Sequence, residues 1–164
     1  MADLLDVSVL VALFDNAHRA HDAISDWFLD HSPQGWASCA ITENGFARVV
    51  SQPTYPAPST VRAAVAKLAL ARSHGCHEFW PCHLSLADPA AIASERLLGP
   101  GQITDVYLLA LAVAHNGRFV TLDRRIALDA VPGATAANLL VLRAPDLGQD
   151  FADCVAQFHH PSRP

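Results

Sequence analysis

Short apolar runs alternate along this chain with stretches whose apolar residues recur at helical spacing. Leu4 to Val7 predicts a short buried strand. It runs into Ser8 to Phe14, whose periodicity fits either more strand or a first helical turn. His18 to His31 predicts a helix, with Ala20, Ala23, Ile24, Trp27 and Phe28 on its apolar side and Ser32-Pro33-Gln34-Gly35 ending it. Trp36 to Cys39 predicts a second strand, followed by a helix capped by Thr42 and running to about Val50. Pro53, Pro56 and Pro58 mark a loop, and Ser59 to His74 predicts a helix closed by Gly75. Glu78 to Trp80 is a possible short strand stopped by Pro81. Asp88-Pro89 then opens a predicted helix, Ala90 to Leu98, ended by Gly99-Pro100-Gly101. Thr104 is expected to cap a helix from Asp105 to His115, with Asn116-Gly117 ending it. Arg118 to Leu122 predicts a strand that stops at Asp123. A short helix, Arg124 to Ala130, and a last strand, Asn138 to Leu142, complete the pattern.

Strands alternating with helices predict an α/β fold, a three-layer α/β/α sandwich around a central, mainly parallel sheet. The expected division is one domain over residues 1–143 and a more polar, peripheral tail over 144–164. About half of the 164 residues are apolar, enough for a core without disulfide staples.

No apolar run reaches the length of a membrane span, and Asp6 interrupts the N-terminal run where a signal peptide would be apolar. These features predict a cytosolic protein with no membrane partner. Its four cysteines, Cys39, Cys76, Cys82 and Cys154, are then expected to be reduced. Cys76-His77 and Cys82-His83 invite a zinc reading, but C-x5-C with adjacent histidines is not a usual zinc spacing, which favours packing or surface roles. Net charge is −5 with a single lysine, Lys67, which argues against coating of nucleic acid by phosphate neutralisation alone. It leaves room for a nuclease whose positive charge comes from bound cations.

The acids sharpen that possibility. Asp6 follows the first strand and Asp123 the strand ending at Leu122, where an open parallel sheet places its ligands. Glu43 and Asp105 each open a helix within an Ile-Thr-acid tripeptide, Ile41-Thr42-Glu43 and Ile103-Thr104-Asp105. Helical spacing puts Glu43 on one side with Phe46, Ala47 and Val50, and Asp105 with Leu108, Leu109 and Ala112. Each acid alone has an ordinary explanation, as a helix-dipole partner or a loop residue. Four together would repel: two carboxylates about 4 Å apart cost roughly 4 kcal/mol at an effective dielectric near 20. A hard divalent cation removes that cost, and all-oxygen ligation suits Mg²⁺ or Mn²⁺. Such a site would activate water against a phosphodiester.

Supporting candidates are Ser8, which fits a hydrogen bond to the site or a helix cap, Thr121, on the same side of its strand as Asp123, and Arg124, for a phosphate. Asn44, His115, His159 and His160 fit the chemistry less well. No G-x-S-x-G, Walker or G-x-G-x-x-G motif competes. A dehalogenase-type phosphatase would need an acid where Ser8 stands, and Lys67 is misplaced for a receiver domain.

In the segments Leu4–Leu10, Thr42–Arg48, Ile103–Ala112 and Gly117–Arg124 the chain resembles the PIN-domain family, specifically its VapC-type toxins. The resemblance spans about residues 3 to 142. It implies a Mg²⁺/Mn²⁺ site built from Asp6, Glu43, Asp105 and Asp123 and endoribonuclease activity on RNA, often a tRNA or rRNA loop. It also implies a cognate antitoxin, and dimerisation is common. Asp6-Val7-Ser8 departs mildly from the family's usual Asp-Thr-Asn or Asp-Ala-Asn, which bears on Ser8 but not on Asp6. The helices His18–His31 and Ser59–His74 could offer the antitoxin an apolar groove or could simply fill the core. Cleavage of DNA and a non-catalytic PIN-like binding module are the alternative functions.

Overall fold

A computed structural model describes residues 1–97 and 99–143. The tail at 144–164, with Cys154, His159 and His160, lies outside the described residues, as does Leu98. The strands are β1 (Asp3–Leu5), β2 (Trp36–Cys39), β3 (His77–Trp80), β4 (Arg118–Thr121) and β5 (Leu139–Val141). The α-helices are α1 (Val7–Phe14), α2 (His21–His31), α3 (Ala40–Val50), α4 (Val61–Ser73) and α5 (Ile103–Ala114). The strands form one parallel sheet in the order β3-β2-β1-β4-β5, as the alternating pattern predicts.

β1 lies at the centre, with Leu4 opposite Phe119 and Leu5 opposite Val120. Because side chains alternate across a strand, these neighbours feed two separate cores. Leu5, Trp36 and Val120 pack with Val9, Ile24, Phe46 and Leu68 of α1 to α4. Leu4, Ala37, Trp80 and Phe119 pack with Val106 and Leu108 to Ala112 of α5. The two layers explain why α5 is apolar nearly all round, with Val106 to Ala112 all buried.

Local chemistry differs from the sequence expectation at several ends. Ser8 to Phe14 is helix, and Asp6 is its N-cap. Thr42 does not cap α3. The strand turns directly into the helix at Cys39, and Thr42 sits one turn in, its Oγ1 accepting from the Cys39 amide at 3.0 Å. Thr104 likewise lies inside α5, which Gln102 precedes. Thr60, rather than Ser59, caps α4, accepting from the Ala63 amide. After α4 the chain reverses at Cys76, whose φ of 68° takes the left-handed turn expected of Gly75.

The predicted helix Ala90–Leu98 is absent from the described residues 90–97. Asp88 accepts from the Ala90 amide through its side chain and from Ala91 and Ile92 through its carbonyl, a single turn. Ala93 then donates to Ala130 instead of continuing the helix, and only Ser94–Arg96 forms a 3₁₀ turn. The expected helix Arg124–Ala130 shrinks to a 3₁₀ turn at Leu128–Ala130. These two segments hold each other by that cross-link, with Ile92 and Ala130 buried. No helix among the described residues is long and apolar enough to cross a membrane.

Candidate acidic site at the sheet edge

Asp6 is carried by the end of β1 and anchored by the amide bond from Asp6 to the Val120 carbonyl of β4. Its carboxylate is almost buried, yet it is held by three donors. Val7 N–H reaches Oδ1 at 2.6 Å, and the hydroxyls of Ser8 and Thr121 each donate to Oδ2 at 2.7 Å. Burial pushes the Asp6 pKa up, these three bonds pull it down, and nearby Asp123 adds to the rise.

Thr121 also accepts from the Asp123 amide at 3.1 Å, and Ser8 Oγ from the Leu122 amide at 3.3 Å. Two hydroxyls thus tie the end of β1 to the turn after β4. Thr121 orients a carboxylate as expected, but the carboxylate is that of Asp6. Ser8 is not a cap, since Asp6 fills that position.

Asp105 rises from the first turn of α5 toward the same place. It accepts no hydrogen bond from any described residue. Burial, with the charges of Asp6 and Asp123, pushes its pKa up to about 7, against a weaker pull from Arg125. Asp123 is met by Arg125, whose Nε and Nη2 lie 3.3 Å from Oδ1 and Oδ2. Arg124, expected from the sequence to hold a phosphate, is exposed beside it, and the contact with Asp123 is made by Arg125. The chain leaves β4 through a turn in which Asp123 Oδ1 accepts the Arg125 amide at 2.8 Å, and this folds the Arg125 side chain back onto Asp123.

Glu43 takes its contacts from other elements than the three aspartates do. It reaches the edge from the opposite layer, and its Oε1 accepts from Ser38 Oγ at 2.6 Å while Arg72 of α4 forms an ion pair at 3.2 Å. Ser38 is also within hydrogen-bond distance, 2.9 Å, of His77 Nε2. Arg72 in turn lies over the Phe79 ring. Ser38, Arg72 and His77 escaped the sequence reading because they meet Glu43 only through β2–β3 pairing and the packing of α4.

Three aspartates in mutual repulsion with one long arginine contact form an oxygen-only donor set short of positive charge, which fits a hard divalent cation. Among the described residues no group of three or more His, Cys, Asp or Glu side chains is already disposed to hold a metal ion, so the aspartates would have to draw together around it. Cys39, Cys76 and Cys82 are free thiols, with Cys39 buried and the other two exposed.

The PIN-domain family model matches residues 4–133. Ribonuclease VapC44 of Mycobacterium tuberculosis is 54% identical over 142 residues, spanning 87% of this chain and 100% of that protein. Ribonuclease VapC39 of the same organism is 39% identical over 134 residues, 81% of this chain and 96% of that protein. The crystal structure of VapBC2 from Rickettsia felis bound to a DNA fragment from their promoter contains a chain of the same fold. It has a TM-score of 0.55 at 14% identity, covering 87% of this chain and 98% of that one. With Asp6, Asp105 and Asp123 brought to the carboxyl edge of a five-stranded parallel sheet, and with relatives this similar over most of its length, this chain belongs to the PIN-domain family, among its VapC proteins.

Proposed function

We propose that this protein is a Mg²⁺- or Mn²⁺-dependent endoribonuclease acting in the cytoplasm as the toxin of a toxin–antitoxin pair, its nuclease domain spanning residues 1–143. The observation that carries the proposal is the Asp6–Asp105–Asp123 cluster, in which burial, with the charges of Asp6 and Asp123, raises the Asp105 pKa to about 7. Relatives named ribonucleases support the reaction class. Asp6, Asp105 and Asp123 would hold the ion. Glu43, the fourth proposed ligand, would join them by giving up Arg72. When bound, the ion would polarise a phosphodiester oxygen and acidify the attacking water.

The chain's own residues prepare that chemistry. Ser8 and Thr121 fix Asp6 Oδ2, so Asp6 would stay in place while Asp105 and Asp123 drew toward it. Asp105 surrenders its proton as the site fills. Arg125, beside Asp123, is placed to hold a flanking phosphate, a role the exposed Arg124 next to it would share. The expected antitoxin or a second copy has apolar surface to meet on α4, where Val61, Val65 and Leu70 are exposed. Trp27 and Phe28 of α2 instead pack against the core.

The test is cleavage of labelled tRNA, rRNA fragments and single-stranded DNA by the purified protein, with Mg²⁺, Mn²⁺ or a chelator. RNA cleavage is expected only with metal, and Asp6→Asn and Asp105→Asn should each abolish it while circular dichroism stays native. Retained cleavage in both variants rejects the site. Cleavage of DNA alone makes the protein a DNA nuclease, and no Mn²⁺ binding by titration calorimetry makes it a non-catalytic module.

A further inference from the structure

We propose that the groove beside Asp123 is a subsite for the phosphate backbone of the RNA strand, with Arg96 and Arg125 as its two cations. The inference rests on the ribonuclease reading above. The groove has a volume of about 570 Å³ and is lined by Arg96, Gln102, Arg125, Ile126, Ala127 and Asp129. It adjoins the acidic site, because Arg125, which meets Asp123 through Nε and Nη2, also lines the groove.

Three features make it a built surface. The Gln102 side-chain amide donates to the Arg125 carbonyl at 3.2 Å, fixing the turn that carries Arg125 to the start of α5. Arg96 Nη1 donates to the Asp129 carbonyl at 2.9 Å, which leaves Nε and Nη2 without a described partner. The Asp129 carboxylate is 3.8 Å from Arg96, a long contact between two exposed groups that a phosphate can displace at little cost. Ile126 and Ala127 supply apolar surface between the cations, suited to a ribose or the edge of a base.

Charge balance favours this location. The chain has 11 Lys and Arg against 16 Asp and Glu, so it offers no general attraction to a polyanion. A strand must therefore be held by a few placed arginines near the scissile bond. An arginine fork matches phosphate oxygens, and single-stranded RNA suits an open groove better than a duplex does.

The experiment measures binding of a fluorescent single-stranded RNA by anisotropy, in Ca²⁺ so that cleavage is suppressed, across a salt series. Arg96→Gln is expected to weaken binding roughly tenfold, the effect of one charge-assisted hydrogen bond. It should also reduce the salt slope by about 0.7. Asp129→Asn should tighten binding about threefold by removing a repelling carboxylate, a gain that misfolding cannot mimic. Arg62→Gln, on α4 in the opposite layer, is the control and should change neither quantity. In cleavage assays with Mg²⁺, Arg96→Gln should raise KM and leave kcat within twofold. If the wild type cleaves RNA but Arg96→Gln and Asp129→Asn both bind like wild type, the groove is not the subsite and the ribonuclease reading stands. If the wild type neither binds nor cleaves RNA, both fall.

Discussion

Asp105→Asn should make the metal-free protein more stable at neutral pH while destroying its proposed activity. The Asp105 carboxyl ordinarily titrates near 3.8, and the folded protein holds its proton up to about pH 7. Between those values the folded state binds a proton that the unfolded state has released. Stability therefore falls as pH rises through the window, and the penalty is complete above about pH 7. About two pH units of that window lie between pH 5 and pH 7. At about 1.4 kcal/mol per unit this is a ceiling of roughly 3 kcal/mol, and solvent screening reduces it to about 2. Asparagine has the same shape and no charge, so the variant escapes the penalty. Its melting temperature relative to wild type should rise by about 4–8 °C on going from pH 5 to pH 8 in chelator. Differential scanning calorimetry of both proteins at the two pH values measures this directly. Adding Mg²⁺ at pH 8 should raise the wild-type melting temperature and narrow the gap. A variant no more stable relative to wild type at pH 8 than at pH 5 would refute the idea that burial and the neighbouring aspartates penalise the Asp105 charge in the folded protein.

Two structural predictions test the scaffold that carries the site. Gly117→Ala would place a Cβ 2.4 Å from the Trp80 ring and 2.9 Å from the Ala2 carbonyl oxygen, so urea unfolding should show a loss of about 2–3 kcal/mol. Arg118 grips the buried Asp3 with two bonds of 2.8 Å, and Arg118→Ala should cost about 3 kcal/mol by stranding that carboxylate.

Much of this protein is readable from local pattern, because its sheet is parallel and its central strands are buried on both faces. The strands β1 and β4 are brief, mostly apolar runs, and the acids Asp6 and Asp123 stand just past their ends. The region 88–97 misled for a physical reason. Its Asp-Pro start and alanine-rich run satisfy helix propensity, but Ala93 gains more by bonding Ala130 across the fold. Thr42 misled because a threonine one turn inside a helix can bond back to the capping residue, which imitates a cap in sequence. The contact of Arg125 with Asp123 was not legible because it depends on the turn at Asp123, a tertiary detail. The partners of Glu43 are 5 and 29 residues away for Ser38 and Arg72, and no helical or strand period links them.

The placement of β1 between β2 and β4 has a consequence for how the protein is made. Residues 3–5 must wait for their β4 partners at 118–120, more than a hundred residues later in synthesis. Asp6 owes its orientation to Thr121, so no nascent chain short of that residue can present the finished acidic pocket. Translation of nearly the whole domain must precede its capacity to act.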